Sequence, residues 1–214
     1  MFALIQSFLH IDVTLIQWAH AYGSYIYVIL FLIIFCETGL VVTPFLPGDS
    51  LLFAVGALAS TGQFLDLKMI IPLLMLAATL GDSLNFFIGK KWGRKLFEKE
   101  NVLLKRKYLT ATEDFFARKG KWAVSLARFF PITRTIAPFF AGLSGMLYKR
   151  FITLSVIGTI VWVNLFAISG YYFGQIEMVQ KNFTLLVMGI IVFSLLPFII
   201  SALRAYLAKS RKAS

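Results

Sequence analysis

The chain has 214 residues, of which 59% are hydrophobic and only 14% are charged. A soluble domain of this length is normally about 45–50% apolar and about 25% charged, so this composition, with a mean hydropathy of +0.81, indicates an integral membrane protein. The formal charge of +11 does not require a nucleic acid partner, because basic residues of membrane proteins collect in cytoplasmic loops.

Four hydrophobic runs predict membrane-spanning helices, since each approaches the ~20 residues that a bilayer requires. The first contains Glu37 and the second contains Asp82. The last belongs to a C-terminal transmembrane helix over 183–207. The four runs cover 25–42, 69–88, 151–173 and 183–203.

Two further apolar segments, about 44–60 and 122–145, fit poorly as simple spans. The first carries Pro47-Gly48-Asp49, and the second carries Pro131 and Pro138. Proline breaks the helical hydrogen-bond ladder, and broken backbone at membrane depth survives only inside protein or along a water-filled cavity. Each segment is therefore predicted to form a re-entrant hairpin, which enters and leaves the membrane on one side.

The two halves of the chain resemble each other. Phe45-Leu46-Pro47 matches Phe129-Phe130-Pro131 at an offset of 84, and the glycines of 89–93 match those of 170–174 at an offset of 81. This order favours a duplicated unit. We expect a single membrane domain over 1–214, with a first repeat over 25–93 and a second over 108–174.

The distribution of charge predicts the orientation. Eleven of the 21 lysines and arginines lie between Lys90 and Lys121, which places that loop in the cytoplasm. Counting spans from this loop, the first hairpin opens outward, the second opens inward, and the C-terminus is cytoplasmic. We therefore expect an all-α integral membrane protein with about four transmembrane helices and two oppositely oriented re-entrant hairpins in an inverted repeat. The segment 98–119 is predicted to add cytoplasmic amphipathic helices.

Arg128 and Arg134 lie inside one of the most apolar stretches. A lone arginine at the bilayer centre costs about 2.5–3.5 kcal/mol, so each requires a partner. Pro131 between them allows an unwound turn that aims both guanidiniums at one point. Their planar fork suits a phosphate, which makes them candidate phosphate-binding residues. The alternative is a pair of internal salt bridges, for example to Glu37 and Asp49.

Glu37 and Asp49 are candidate proton-coupling residues. Burial favours a neutral carboxyl and a nearby arginine favours the charged form, so protons could be exchanged as arginine contacts form and break. For Asp49 the alternative is a helix N-cap over 50–52. Asp82 lies on a polar face that is predicted to line the interior of the bundle, and helix packing explains this face equally well. The supporting site residues are Asp82, Pro47, Gly48, Ser50, Pro131 and Thr133.

No metal-ligating, nucleophilic or cofactor-binding pattern appears in the sequence. The only histidines, His10 and His20, precede the first span. A histidine-dependent membrane phosphatase would need histidine beside the arginines. We therefore expect a protein that is not an enzyme and that has no catalytic residue, metal or cofactor.

Several motifs together resemble the DedA family, which belongs to a superfamily that includes eukaryotic lipid scramblases. The resemblance covers about residues 25–175, and its most specific part is the two-arginine motif with the small-residue motif that follows it. The motifs are Glu37-x-Gly39, Pro47-Gly48-Asp49-Ser50, Gly81-Asp82, Arg128-Phe129-x-Pro131-x-x-Arg134 and Ala141-Gly142-x-Ser144-Gly145.

The resemblance implies a multi-pass protein of the bacterial inner membrane that translocates a polyprenyl phosphate such as undecaprenyl phosphate, dependent on the proton-motive force. It implies phosphate binding at Arg128 and Arg134 and proton coupling at Glu37 and Asp49. The expected partners are membrane lipids and protons, without nucleic acid, and a homo-oligomer is compatible with the sequence. The alternatives are a proton-coupled small-ion or drug transporter, a phospholipid scramblase, an enzyme acting on lipid phosphates and a non-transporting assembly factor.

Overall fold

All regular structure in the described part of the chain is helical, with no strand among those residues. Two helices are long and apolar enough to cross a membrane, Leu67–Gly93 and Tyr148–Phe173. These two helices contain the spans predicted at 69–88 and 151–173. The computed structural model describes Trp18 and residues 21–40, 48–62, 65–98, 123–128 and 131–176.

The elements whose bounds lie within the described residues are six α-helices and one 3-10 turn. The turn, Gly23–Tyr25, leads directly into the first helix. The helices are α1 (Ile26–Gly39), α2 (Gly48–Ser60), α3 (Leu67–Glu98), α4 (Ala123–Ala127), α5 (Pro131–Leu143) and α6 (Tyr148–Phe173).

Helix α1 is shorter than the span predicted at 25–42. Together with the turn before it, the apolar helical run Gly23–Gly39 extends for about 25 Å, somewhat short of the ~30 Å hydrocarbon core. The helix ends at Gly39, where a Cβ atom would lie 3.3 Å from the Cα atom of Gly81 in the middle of α3. Leu40 then turns to extended backbone. The helical part of the predicted span 25–42 therefore ends at Gly39.

The segments predicted as hairpins show two different patterns. Residues 48–60 form the unbroken helix α2. In the second segment, α4 ends at Ala127 and α5 begins at Pro131, a position where proline costs nothing because the first helical N–H has no partner. Residues 41–47, the amphipathic segment at 98–119 beyond Glu98, and the helix at 183–207 lie outside the described residues.

The helices are arranged around α3. Helices α1 and α3 run in the same direction, since the Asp66 N–H donates to Tyr27 Oη at their beginnings (2.9 Å) and Gly39 meets Gly81 farther along. Helix α6 runs antiparallel to α3, with the Phe86 and Phe151 rings stacked 4.6 Å apart near its beginning.

Helix α2 packs on α6 through reciprocal glycine contacts. A Cβ atom on Gly56 would lie 2.0 Å from the carbonyl oxygen of Ala167, and one on Gly170 would lie 2.1 Å from that of Phe53. Small residues allow helices in membrane proteins to approach this closely. Only glycine fits at these two positions without moving a backbone.

The same contact occurs a second time, between α3 and α5. A Cβ atom on Gly89 would lie 2.0 Å from the carbonyl oxygen of Phe139, and one on Gly142 would lie 2.0 Å from that of Phe86. Gly89 and Gly170 are the pair matched in sequence at an offset of 81, whereas Gly56 and Gly142 are 86 residues apart. The helix of each hairpin segment thus packs on the long helix of the other half.

Two apolar clusters lie on either side of a charged layer. Along α3, the first cluster ends at Ala78 and the second begins at Phe86. Along α6, the second cluster ends at Leu154 and the first resumes at Trp162. The buried residues between these limits are polar or glycine, and they include Asp82.

The glycine crossings generate a stability prediction. Gly56→Ala and Gly142→Ala should each lower the unfolding temperature, because the new Cβ would collide with backbone oxygen. Overpacking of this kind costs about 1–3 kcal/mol, which outweighs the ~1 kcal/mol that alanine gains over glycine inside a helix. Thermal unfolding in detergent measures the effect. Thr153→Ala, at an exposed position of α6, should leave the temperature unchanged, and unfolding temperatures at or above wild type for both glycine variants would contradict the packing.

Candidate functional site

The charged layer between the apolar clusters contains four of the sequence-predicted site residues in nearly dry surroundings. Glu37 and Asp82 are each 1% exposed, Arg128 is 4% exposed and Arg134 is 6% exposed. Charges buried to this extent are tolerated only when they are paired. The contacts of these four residues therefore define the site.

Arg134 lies in the first turn of α5 and contacts two carboxylates from the first half of the chain. Its Nη2 atom is 2.5 Å from Glu37 Oε1 at the end of α1, and its Nη1 atom is 2.6 Å from Asp49 Oδ1 at the start of α2. Charge-assisted contacts of this kind are the strong ones in proteins. The sequence analysis considered internal salt bridges of the two arginines with Glu37 and Asp49. In the structure both carboxylates pair with Arg134.

Asp49 is the second residue of α2, which begins at Gly48, whereas the N-cap alternative would place it before the helix. Its negative charge is favourable there because the positive end of the helix dipole is close. Gly48 has a separate role. Its N–H donates toward the Glu37 carboxylate, and a Cβ atom at this position would lie 2.1 Å from Glu37 Oε2. Glycine at 48 thus allows α2 to begin directly against the end of α1.

Arg128 follows α4 and pairs with a different carboxylate. Its Nη2 atom donates to Asp82 Oδ2 and lies 3.4 Å from Ser155 Oγ on α6. Ser155 Oγ also donates to Asp82 Oδ2. Asp82 is therefore the ionic partner of Arg128, a role that sequence reasoning left open between an interior position and helix packing.

The two guanidiniums converge on the ring of Trp162. The Cζ atom of Arg134 lies 4.9 Å from the ring centroid, and that of Arg128 lies 5.5 Å from it. The indole N–H donates to Asp49 Oδ1 at 2.7 Å. The expectation that both arginines point at one place agrees with this geometry.

Sequence reasoning missed Trp162 and Ser155. A signal for Trp162 was available, because tryptophan in membrane proteins concentrates at the two interfaces and this one lies in the middle of a span. Ser155 carried no such signal, since a single serine in an apolar helix usually bonds to its own backbone.

Asn85, one turn after Asp82 on α3, connects α1 with α5. Its Nδ2 atom donates to the carbonyl oxygens of Thr38 (3.1 Å) and Thr135 (2.7 Å). These carbonyls lie at the end of α1 and in the first turns of α5. The amide therefore fixes the relative position of Glu37 and Arg134.

The remaining predicted residues have supporting positions. Thr133 Oγ1 donates to the Ala127 carbonyl oxygen at 2.9 Å, which bridges the break between α4 and α5. Ser50 is buried in the first turn of α2, and Pro131 is the first residue of α5. Pro47 lies outside the described residues.

Several buried polar atoms of the site have no hydrogen-bond partner within the described chain. They are Glu37 Oε2, Asp82 Oδ1, Arg128 Nη1 and Arg134 Nε, together with Asn85 Oδ1 nearby. An unsatisfied buried donor or acceptor normally costs about 1–3 kcal/mol. The site therefore contains buried hydrogen-bond donors and acceptors that its own residues do not satisfy. Among the described residues, no three His, Cys, Asp or Glu side chains are placed to hold a metal ion.

Comparison with known proteins identifies the family. The model of the VTT domain matches residues 46–172. Protein DedA of Escherichia coli strain K12 is 50% identical over 215 residues, which cover 100% of this chain and 98% of that protein. The chain belongs to the DedA family.

Other relatives of this DedA-family protein are also described as membrane proteins. An uncharacterized membrane protein of Mycobacterium leprae strain TN is 41% identical over 182 residues, covering 85% of this chain and 81% of its own. The inner membrane protein YghB of Escherichia coli strain K12 is 32% identical over 180 residues, covering 80% of this chain and 82% of that protein. No solved structure matches the chain. Together with the composition, the relatives establish a membrane protein.

The pairing of Arg128 with Asp82 generates a double-mutant prediction. Asp82→Asn and Arg128→Gln should each destabilise the DedA-family protein by about 3–5 kcal/mol, because each leaves an unpaired buried charge. The double variant should lose clearly less than the sum, as measured by chemical unfolding in detergent micelles.

The exposed residues Asp66 and Lys149, at opposite ends of the described bundle, provide the control. Asp66→Asn and Lys149→Gln should have effects that add within about 0.5 kcal/mol. The same additivity for Asp82 and Arg128 would show that the buried pair is not energetically coupled.

Proposed function

We propose that this DedA-family protein translocates a phosphorylated lipid carrier such as undecaprenyl phosphate across the bacterial inner membrane. The observation that carries the proposal is the pairing of Arg134 with two carboxylates from two helices, Glu37 at 2.5 Å and Asp49 at 2.6 Å. A phosphate monoester offers the same anionic oxygens on a single group. It can therefore replace both carboxylates on the guanidinium fork.

The unpartnered atoms support a ligand with several oxygens. Arg134 Nε and Arg128 Nη1 are buried donors without an acceptor among the described residues. A phosphate placed between the arginines would satisfy donors that the carboxylates leave unused. The isoprenoid tail would remain in lipid, beside the apolar helices.

Proton coupling follows from the charges of the site. With every group ionised, three carboxylates and two guanidiniums give the described cluster a formal charge of −1. A buried cluster is most stable when it is neutral, and uptake of one proton at Glu37 or Asp49 would bring its formal charge to zero. Proton uptake would then weaken a carboxylate's hold on Arg134 and favour its exchange for phosphate.

We assign α1 and α2 to one re-entrant hairpin and α4 and α5 to a second that enters from the opposite face. This assignment is supported by α2, which begins against Glu37 at the end of α1. Near the other end of α2, Ala59 lines the same cavity as Tyr27 at the beginning of α1. Helices α3 and α6 then cross the membrane, and the basic loop and the C-terminus lie in the cytoplasm.

The two arginines are buried in this arrangement, so transport requires a second one in which the hairpin tips separate toward one face. A lipid substrate can shift that equilibrium only by binding one arrangement more tightly than the other. Exchange of carboxylate for phosphate at Arg134 supplies this difference, because Glu37 and Asp49 belong to one hairpin and Arg134 to the other. In this cycle the residues bind and release the lipid phosphate without hydrolysis of its phosphoester bond.

The opposed hairpins predict accessibility from opposite faces. Thr61 follows α2, the second helix of the first hairpin, and Ser144 follows α5, the second helix of the second hairpin. Both residues are exposed. In a background with Cys36→Ser, a Thr61→Cys variant should react with a membrane-impermeant maleimide added to intact cells. A Ser144→Cys variant should react only after the membrane is opened. Labelling of both cysteines from the same face would overturn the orientation.

Replacement of the guanidinium fork tests the phosphate clamp. Arg134→Lys should reduce transfer of undecaprenyl phosphate in proteoliposomes by at least about tenfold, because a lysine keeps the charge but loses the bidentate contact. Arg150→Lys, at an exposed position at the start of α6, is the matched control and should transfer lipid at the wild-type rate. Wild-type transfer by the Arg134→Lys variant would contradict the clamp.

The same vesicles separate the alternatives. An imposed pH gradient should accelerate wild-type transfer and leave a Glu37→Gln, Asp49→Asn double variant unaffected. Transfer of phosphatidylcholine at the same rate would identify a scramblase, ion flux without lipid transfer would identify an ion transporter, and release of inorganic phosphate would identify an enzyme.

A further inference from the structure

Trp162 has an unusual place for a tryptophan in a membrane protein. It lies in the middle of α6, it is 0% exposed, and it is among the largest fully buried side chains of the described residues. Tryptophan normally lies at the membrane interface, where its N–H reaches polar groups. Here it requires a buried acceptor, and it has one in the charged site.

The indole contacts the site through both of its chemical functions. Nε1–H donates to Asp49 Oδ1 at 2.7 Å, the oxygen that also lies 2.6 Å from Arg134 Nη1. The ring attracts the guanidiniums of Arg134 and Arg128, whose Cζ atoms lie 4.9 and 5.5 Å from its centroid. Phe166 packs edge-on against the ring at 6.5 Å and helps fix its plane.

The two functions respond differently when the ionic partners change. The attraction between a cation and an indole ring does not depend on the ionisation of any carboxylate. Trp162 therefore keeps its hold on both guanidiniums when Glu37 or Asp49 is protonated or displaced. The hydrogen bond behaves in the opposite way, because departure of Asp49 leaves Nε1–H without its acceptor.

We infer that Trp162 is a third phosphate-binding residue. Its ring holds Arg128 and Arg134 in place while their partners change. Its Nε1–H donates to a phosphate oxygen that takes the position of Asp49 Oδ1, beside Arg134 Nη1. The inference rests on the proposed function, and it explains why a neutral hydrogen-bond donor with an aromatic face occupies the centre of a charged site.

Binding of farnesyl phosphate to the full-length protein in nanodiscs tests the inference, with farnesol as the probe that lacks phosphate. Trp162→Phe keeps an aromatic face and loses the donor, and it should weaken binding about tenfold. Trp162→Leu loses both functions and should weaken binding by about a further fivefold. Trp92→Phe, the same change at a half-exposed position of α3, should bind like wild type.

A spectroscopic readout separates contact from general damage to the fold. Protein labelled with 5-fluorotryptophan has a ¹⁹F signal from Trp162, which is assigned by its loss in Trp162→Phe. Farnesyl phosphate should shift this signal, whereas farnesol should not. Thermal unfolding of Trp162→Phe should stay close to wild type, so that its weaker binding cannot be attributed to unfolding.

The outcomes separate the role of Trp162 from the proposed transport of a lipid phosphate. Failure of the wild-type protein to bind farnesyl phosphate more tightly than farnesol would overturn both. Tight wild-type binding that Trp162→Phe and Trp162→Leu leave unchanged, or a ¹⁹F signal that phosphate does not move, would overturn the role of Trp162 alone.

Discussion

The fold depends on charges buried at the place where α1, α2 and α5 meet. Arg134 on α5 holds Glu37 and Asp49, from α1 and α2, at 2.5 and 2.6 Å. Removal of one partner from such a buried pair typically costs about 3–5 kcal/mol, so these contacts oppose separation of the segments. We propose that an anion with suitable oxygens replaces these contacts, so that one interaction both closes the structure and selects the ligand.

The rest of the molecule brings these groups together and keeps water away from them. Glycine crossings bind α2 to α6 and α5 to α3, so that each hairpin helix is fixed on the long helix of the other half. The charged site lies between the α2–α6 pair and the α3–α5 pair, because Asp49 belongs to the first pair and Arg134 to the second. Apolar clusters on both sides of the layer lower the local dielectric, which strengthens the ionic contacts.

The chemistry of the site could be predicted from the sequence because membrane burial makes every charge conspicuous. Glu37, Asp82, Arg128 and Arg134 stand out in apolar runs, and Pro131 marks the break between the arginines. The pairing could not be predicted, since three carboxylates were available to two arginines and only tertiary packing brings Asp82 to Arg128. The end of α1 could not be predicted either. Its apolar residues continue past Gly39 to Val42, and the contact with Gly81 at which the helix ends lies 42 residues away in sequence.

The central claim is that a lipid phosphate takes the place of carboxylates on Arg134. Solid-state NMR of protein with ¹⁵N-labelled arginine in bilayers tests it directly, through the dipolar coupling between guanidinium nitrogens and the ³¹P nucleus of bound farnesyl phosphate. The account predicts a coupling that is strong in the wild-type protein and reduced in Arg134→Lys. Bound lipid with no ¹⁵N–³¹P coupling in the wild-type protein would contradict it.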